Sequence, residues 1–225
     1  IVDEKSKVKI SKIDIVGNKA IKTDVIRKGL MTKPAWLFNP GIFKDEVLEA
    51  DVEMIRGLYD DIGYLDSEVV PKLEYSADGL SLVIVIEIKE NKQYLVGEIT
   101  LKGNLILPEK DVRKKISLKS GKPFSNKALR MDAAAIKELY YNNGYIYMSL
   151  RPDVIRRTGA DGQPVVDLRW VLTEGQPAII NRVEIVGNEL THDQVIREAI
   201  TLLPGDVFRQ DAMLRSYQNV SNLGF

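Results

Sequence analysis

A six-residue phrase occurs three times in this chain, and that repetition limits the fold more than any other feature. Ile13-Asp14-Ile15-Val16-Gly17-Asn18 returns as Ile99-Thr100-Leu101-Lys102-Gly103-Asn104 and again as Val183-Glu184-Ile185-Val186-Gly187-Asn188. Gly17, Gly103 and Gly187 are almost evenly spaced along the chain. A second marker, Gly63-Tyr64, Gly144-Tyr145 and Gly224-Phe225, recurs with nearly the same step. A third, Glu4, Glu90 and Glu174, precedes each Gly-Asn glycine by one constant interval. Three markers in one order at a near-constant period specify a tandem array. The period divides the chain into the tail of a preceding unit at 1–6, units at 7–91 and 92–176, and an incomplete unit at 177–225. The chain opens on Ile1 rather than Met and stops before a third hairpin, so it is expected to be a piece of something longer.

Each unit reads as β-α-α-β-β. The strand before Gly-Asn alternates Ile13 and Ile15 with Lys12 and Asp14, the pattern of a half-buried strand. A short helix follows. In the third unit Thr191 and Gln194 have capping-box spacing, and in the second Pro108 suits a first helical turn. The next helix is longer. Leu48, Val52, Ile55, Leu58, Tyr59 and Ile62 share one face, and Leu129, Ala133, Ile136, Leu139 and Tyr140 repeat it with the step that separates Gly63 from Gly144. Gly63 and Gly144 then suit a left-handed helix exit, over which the following Tyr folds back. Two strands close the unit, 68–75 and 81–89, then 148–157 and 165–172, each pair joined through Ala-Asp-Gly. The run Leu82-Val83-Ile84-Val85-Ile86 suits a central strand. Pro71 and Pro152 lack the donor a central strand needs, so the strand before the hairpin is expected to be a free edge.

Composition narrows the function. Lys+Arg 32 against Asp+Glu 32 leaves no basic excess for neutralising phosphates, which argues against a nucleic-acid partner. With no Cys there are no disulfides, thiolate nucleophiles or Cys-based zinc sites. A single His removes His-pair metal sites. The longest apolar runs are far short of the roughly 20 residues that span a bilayer. No phosphate-binding loop, dinucleotide fingerprint, nucleophile elbow or EF-hand loop is present, and neither a cofactor nor a catalytic activity is expected.

The remaining candidates have plain readings beside functional ones. Asp60-Asp61 sit at the polar end of a helix, where a solvated face outweighs a carboxylate pair. The repeated Glu suits a structural role at a junction better than a ligand. His192 suits a surface or capping position. The aromatic stretch from Tyr140 to Tyr147 suits packing better than base stacking. Trp36-Leu37-Phe38-Asn39-Pro40-Gly41 either packs under the first unit or forms a partner surface.

The strand-Gly-Asn opening and the helix-Gly-Tyr/Phe exit resemble those of POTRA domains, in particular the arrays of the BamA family of outer-membrane-protein assembly factors. The resemblance covers essentially the whole chain. The insertion Pro34-Ala35-Trp36-Leu37-Phe38 and the stretch from Glu49 to Tyr64 are similar to the third domain of such arrays, and the second unit to the fourth. Asn222-Leu223-Gly224-Phe225 resembles the helix exit of the fifth. The fold implied is α+β, a three-stranded mixed sheet per domain with two helices on one face. The resemblance implies a periplasm-facing part of a bacterial outer-membrane protein whose full-length chain is membrane-embedded through a C-terminal barrel. The implied partners are accessory lipoproteins and unfolded outer-membrane polypeptides with their periplasmic chaperones. A passive spacer, or the array of a two-partner secretion transporter, are the alternatives. An unpaired strand accepts an extended peptide with little side-chain selectivity. The candidate contacts are Val69, Val70, Lys72, Leu73, Glu74 and Tyr75, with Trp36 and Phe38 from the loop. In the second unit Ser149, Arg151, Asp153, Val154 and Ile155 are the equivalents, but Arg151, Asp153, Arg156 and Arg157 suit edge protection there.

Overall fold

The computed structural model describes residues 8–37, 39–104, 106–188 and 192–224. Glu4, Phe38, Thr191 and Phe225, which carry parts of the expectations above, lie outside them. The chain divides into two compact units. One runs through Leu95 and takes in 121–127 and 157–165; the other holds 96–120, 128–156 and the residues from 166 onward.

The first sheet contains β1 (Lys9–Val16), β2 (Glu68–Tyr75) and β3 (Ser81–Lys89) in the order β1-β3-β2. β3 is central, parallel to β1 and antiparallel to β2, as its apolar run predicts. Its alternate residues Leu82, Ile84, Ile86 and Ile88 are buried against α1 (Thr23–Gly29) and α2 (Asp45–Asp60). Ile26 and Leu30 come from α1 and the residue after it, Leu48, Val52, Ile55 and Tyr59 from α2, and Ile10, Ile13, Ile15 and Val69 from the flanking strands. Each such side chain withdrawn from water contributes roughly 1.5–3 kcal/mol, so this face is what holds the domain together. The β1 register slips between Ile10 and Lys12. That bulge puts both Ile10 and Ile13 inward, although an unbroken alternation sends them to opposite faces.

Both glycine markers are steric requirements. Gly17 has φ +87°, and a Cβ there would lie 2.0 Å from the Ile88 carbonyl oxygen; Gly103, at +82°, is equally close to that of Leu172. Gly63 ends α2 at φ +90°, with the Tyr64 N–H donating to the Tyr59 carbonyl at 2.9 Å. The Tyr64 ring sits edge-on to Tyr59 at 6.0 Å, as the sequence predicts. The Gly63 carbonyl also accepts the Tyr94 N–H at 2.8 Å, and the Tyr94 carbonyl accepts the Phe124 N–H at 2.9 Å. This lattice recurs at Gly144, Ala178 and Phe208 with 2.8 and 2.9 Å bonds. The helix exit is therefore also an anchor for chain from the following repeat.

The second sheet repeats the first. It has β4 (Leu95–Lys102), β5 (Ser149–Thr158) and β6 (Pro164–Thr173) in the order β4-β6-β5, with α3 (Glu109–Arg113) and α4 (Asn126–Tyr141) between β4 and β5. Ile136, Tyr140, Val166, Leu168 and Trp170 are fully buried. Pro108 is the residue before α3 rather than within its first turn, with extended ψ 130°.

The third repeat differs from its sequence pattern. Val183–Asn188 forms no strand, and Val186 is exposed. In the first two repeats the corresponding strand pairs with the last strand of its own repeat, and among the described residues no strand pairs with 183–188. A strand without a ladder partner leaves its backbone to water. α5 (Asp193–Ala199) and α6 (Gln210–Ser221) do form. His192 precedes α5 without a side-chain cap bond, and the Thr191 half of the expected capping box lies outside the described residues. No described helix is long and apolar enough to cross a membrane.

Candidate functional site

The β2 edge can be read atom by atom. Ser76 N–H donates to the Ser81 carbonyl at 2.9 Å, which makes that pair hydrogen-bonded. The register runs unbroken from Tyr75↔Leu82 to Glu68↔Lys89. Antiparallel pairs alternate, so Glu74, Lys72, Val70 and Glu68 bond to β3, while Tyr75, Leu73, Pro71 and Val69 aim their backbone groups away from it. Pro71 therefore stands at an outward position, where its missing N–H costs the ladder nothing. The guanidinium of Arg56 donates to the Val69 carbonyl at 3.4 Å and half-closes that end. The segment from Leu73 to Tyr75, with the Pro71 carbonyl, is left open.

The opposite edge of this sheet is covered at the start of β1. Ala35 N–H donates to the Ile10 carbonyl at 2.9 Å, Ile10 N–H to that of Gly41 at 2.8 Å, and Phe43 N–H to that of Val8 at 2.9 Å. The inserted loop thus guards the first half of β1, which concentrates free pairing capacity on β2.

The candidate side chains separate by face. Val69 is 1% exposed and spent on the core, so it offers a partner only backbone, and Leu73 is half-buried against the same core. Val70 and Tyr75 are exposed, as is Glu74; Lys72 pairs with Glu87 at 2.7 Å. Beside the edge runs a groove of about 450 Å³ with an apolar floor of Leu48, Val52, Val69, Pro71 and Leu73. Asp45, Glu49, Glu53 and Arg56 form its rim, and Arg56 pairs with Glu53 at 2.5 Å. In the second sheet Val154 and Ile155 are exposed on β5, and Arg151 pairs with Asp153 at 3.1 Å. Arg156 and Arg157 also have partners.

Trp36 and Leu37 are 76% and 81% exposed, so the loop does not pack under the sheet. Phe38 lies outside the described residues.

The repeated Glu is a structural staple. Glu90 Oε1 accepts the N–H groups of Lys19 and Ala20, at 2.5 and 2.7 Å, and the Tyr59 hydroxyl at 2.9 Å. Glu174 likewise accepts the Tyr140 hydroxyl at 2.5 Å and the Ile106 N–H at 3.1 Å. Each carboxylate ties the loop after Gly-Asn to the long helix. Burial, then the hydrogen bond to Glu90, pushes the Tyr59 hydroxyl well above its ordinary value; burial and Glu174 do the same at Tyr140. Burial pushes Glu90 upward, but the N–H groups of Lys19 and Ala20 and the Tyr59 hydroxyl outweigh it, and its carboxyl is held below the usual value.

Two residues that periodicity reasoning passes over matter as much. Asp51 and Asp132 are buried on the apolar faces of α2 and α4. Asp51 accepts the Met31 and Thr32 N–H groups at 2.7 and 2.8 Å, and Asp132 those of Ser117 and Leu118 at 2.9 and 3.1 Å. Their signal is a charge on a core stripe recurring at the repeat period.

The other candidates stay plain. Asp60 and Asp61 are half-buried at the end of α2 rather than fully solvated, His192 is exposed, and Tyr140 is core while Tyr147 is exposed. Among the described residues no cluster of three or more His, Cys, Asp or Glu could hold a metal.

Comparison with known proteins follows the same lines. The family POTRA, described as "Surface antigen variable number repeat", matches residues 8–91, 94–175 and 178–225. A provisionally named outer membrane protein assembly factor of Treponema pallidum is 29% identical over 230 residues, covering 100% of this chain and 27% of its own length. Outer membrane protein assembly factor BamA of Nitratidesulfovibrio vulgaris is 27% identical over 229 residues, covering 98% of this chain and 28% of its own. The chain thus spans little more than a quarter of the curated relatives it matches. Among solved structures, POTRA3-5 of Haemophilus influenzae BamA superposes with TM-score 0.65 at 16% identity, covering 97% of this chain and 86% of that one. At that identity the likeness is one of fold.

Proposed function

The chain belongs to the POTRA family, and from that premise we propose that it is a polypeptide receptor which takes up extended segments on the β2 edge. It is a periplasmic part of the outer-membrane-protein assembly machinery, an assignment that rests on the BamA relatives along the whole chain. Its repeats are 7–91, 92–176 and 177 onward. It works by binding rather than by catalysis, and its partners are accessory lipoproteins and unfolded outer-membrane polypeptides delivered by periplasmic chaperones.

One observation carries the reading: β2 keeps outward backbone groups at Leu73 and Tyr75 beside an apolar groove, while the other edge of the sheet is guarded over the first half of β1. A client strand pairs through those groups, which any sequence supplies, and drops alternate side chains onto Leu48, Val52 and Leu73. The rim of Asp45, Glu49 and Glu53 against Arg56 favours clients with basic residues at those positions.

Leu73→Pro tests this directly, because the donor it removes points away from β3. The expected result is a folded protein whose binding of an unfolded outer-membrane polypeptide, followed by NMR shift mapping, weakens at least tenfold. Unchanged binding by a folded variant leaves the array a spacer and ends the receptor reading.

A further inference from the structure

The inserted loop of the first repeat is a built hairpin. Trp36 and Asn39 exchange both backbone bonds, N–H to carbonyl at 2.8 and 2.9 Å, and the Asn39 side chain accepts the Gly41 N–H at 3.0 Å. Gly41 has φ +58°, and a Cβ there would lie 2.3 Å from the Ala35 nitrogen, so only glycine lets the two arms close. Bonds from Ala35 and Gly41 to Ile10 root the hairpin on β1. The fold thus holds a Trp-Leu tip in water at three-quarters exposure or more, with Met31 exposed beside its base. Single exposed apolar residues need no explanation, but a rooted finger of them does.

Its surroundings are basic. Lys33 and Lys44 line the groove that also holds Met31 and Asn39, and no acidic residue lines it. Lys9 pairs with Ile42 at the hairpin's root. All three lysines are exposed, and none has a carboxylate partner among the described residues; Lys33 donates to the Arg27 carbonyl at 3.2 Å. From 19 to 46 the chain carries Lys19, Lys22, Arg27, Lys28, Lys33 and Lys44 against Asp24, Asp45 and Glu46, a basic excess in a protein of zero net charge.

We propose that this hairpin is an anionic-lipid-binding finger, with Trp36 and Leu37 entering the headgroup boundary of a bilayer leaflet while Lys9, Lys33 and Lys44 engage its phosphates. Trp prefers that boundary because its ring is apolar and its N–H polar, and basic residues beside an apolar insertion add attraction to anionic headgroups. A protein partner would use the same Trp, but three lysines at the base without a carboxylate partner among the described residues favour a surface of many negative charges over a single acidic site. A repeat held this way would present its β2 edge at a fixed height above the membrane.

The two tryptophans make the test specific, since Trp170 is fully buried and only Trp36 can change environment without unfolding. The 225-residue chain is mixed, in low salt, with vesicles of phosphatidylcholine alone or of phosphatidylcholine and phosphatidylglycerol in roughly equal parts. The expected result is a blue shift of Trp36 emission, quenching by brominated lipid and co-flotation, all with the anionic vesicles only. The double variant Trp36→Ser/Leu37→Ser loses flotation while keeping its melting curve. Lys33→Glu/Lys44→Glu, which leaves the tip intact, weakens partitioning by at least fivefold per lysine and more in low salt than in high. An absent shift, equal shifts with both vesicles, or undiminished flotation of either folded variant overturns the proposal. A Trp36 shift produced by an unfolded outer-membrane polypeptide and not by vesicles overturns it too, and assigns the finger to protein docking.

Discussion

β2 and β5 occupy the same place in the same three-stranded topology, and they meet water differently. Both are edge strands with a proline, Pro71 and Pro152, spaced by the repeat period. β2 keeps an apolar groove beside it and one guanidinium at its Val69 end. From Val154 to Thr158 every residue of β5 is exposed, and the strand carries Arg151, Asp153, Arg156 and Arg157. Charge on an edge strand deters pairing with stray chains. Under the proposed function, this difference lets one repeat fold receive a strand and another refuse one, with the core built in the same way.

The core should not distinguish the two repeats, and this gives the largest expected effects. Ile55 and Ile136 hold equivalent positions in the two repeats, and both are 0% exposed. Ile55→Ala or Ile136→Ala is expected to cost about 2–5 kcal/mol by denaturant unfolding, a large share of a small domain's stability. Wild-type-like melting of one variant alone would break the equivalence.

The edges should distinguish them. Lys72→Pro removes a donor that points into the ladder, and costs about 3 kcal/mol or more, whereas Leu73→Pro does not. Val154→Pro, the counterpart of Leu73→Pro on β5, is expected to leave client binding within twofold of wild type. If it weakens binding as Leu73→Pro does, β5 is a receptor edge as well and the contrast fails.

Asp51→Ala and Asp132→Ala each orphan two loop N–H groups, and a loss of about 1–3 kcal/mol is expected in either repeat. Hydrogen exchange should speed up first at Met31 and Thr32 in one variant, and at Ser117 and Leu118 in the other.

The smallest effects are those of pH. Because Glu90 is held below its ordinary 4.5, it contributes stability that is present above about that pH and lost as pH falls through the lowered value. Glu90→Gln should flatten the acid limb of a stability–pH profile. The raised hydroxyls of Tyr59 and Tyr140 act in the opposite sense: their contribution is present below pH 10.0 and lost only as pH rises beyond it. Tyr59→Phe and Tyr140→Phe should therefore each remove part of the alkaline sensitivity, one in each repeat.

Much of this is written locally. Alternation with period 2 and helical stripes with period 3.6 name the faces of β3 and α2. The recurrence of Gly-Asn and Gly-Tyr aligns the repeats, and Pro71 marks the edge. The limits are equally specific. Parity alone would turn Ile10 away from Ile13, and only the bulge between Ile10 and Lys12 reconciles them. Val183–Asn188 has the full pattern of a strand and forms none among the described residues, where no strand pairs with it; pattern alone does not supply a ladder partner.

The sequence by itself determined the tandem array and, in the first two repeats, the order of elements, the central and edge strands and the core stripe, because each depends on residues a few positions apart or on a repeated spacing. The tertiary structure alone decided which backbone groups of β2 face outward, that the Trp36 hairpin guards the start of the opposite edge, and which loop N–H groups Glu90 and Asp51 hold. Those outcomes depend on groups far apart in the chain, such as Met31 and Thr32 on Asp51 or Lys19 on Glu90. No local period records such a meeting, since it exists only after the sheet has paired and the helices have closed over it.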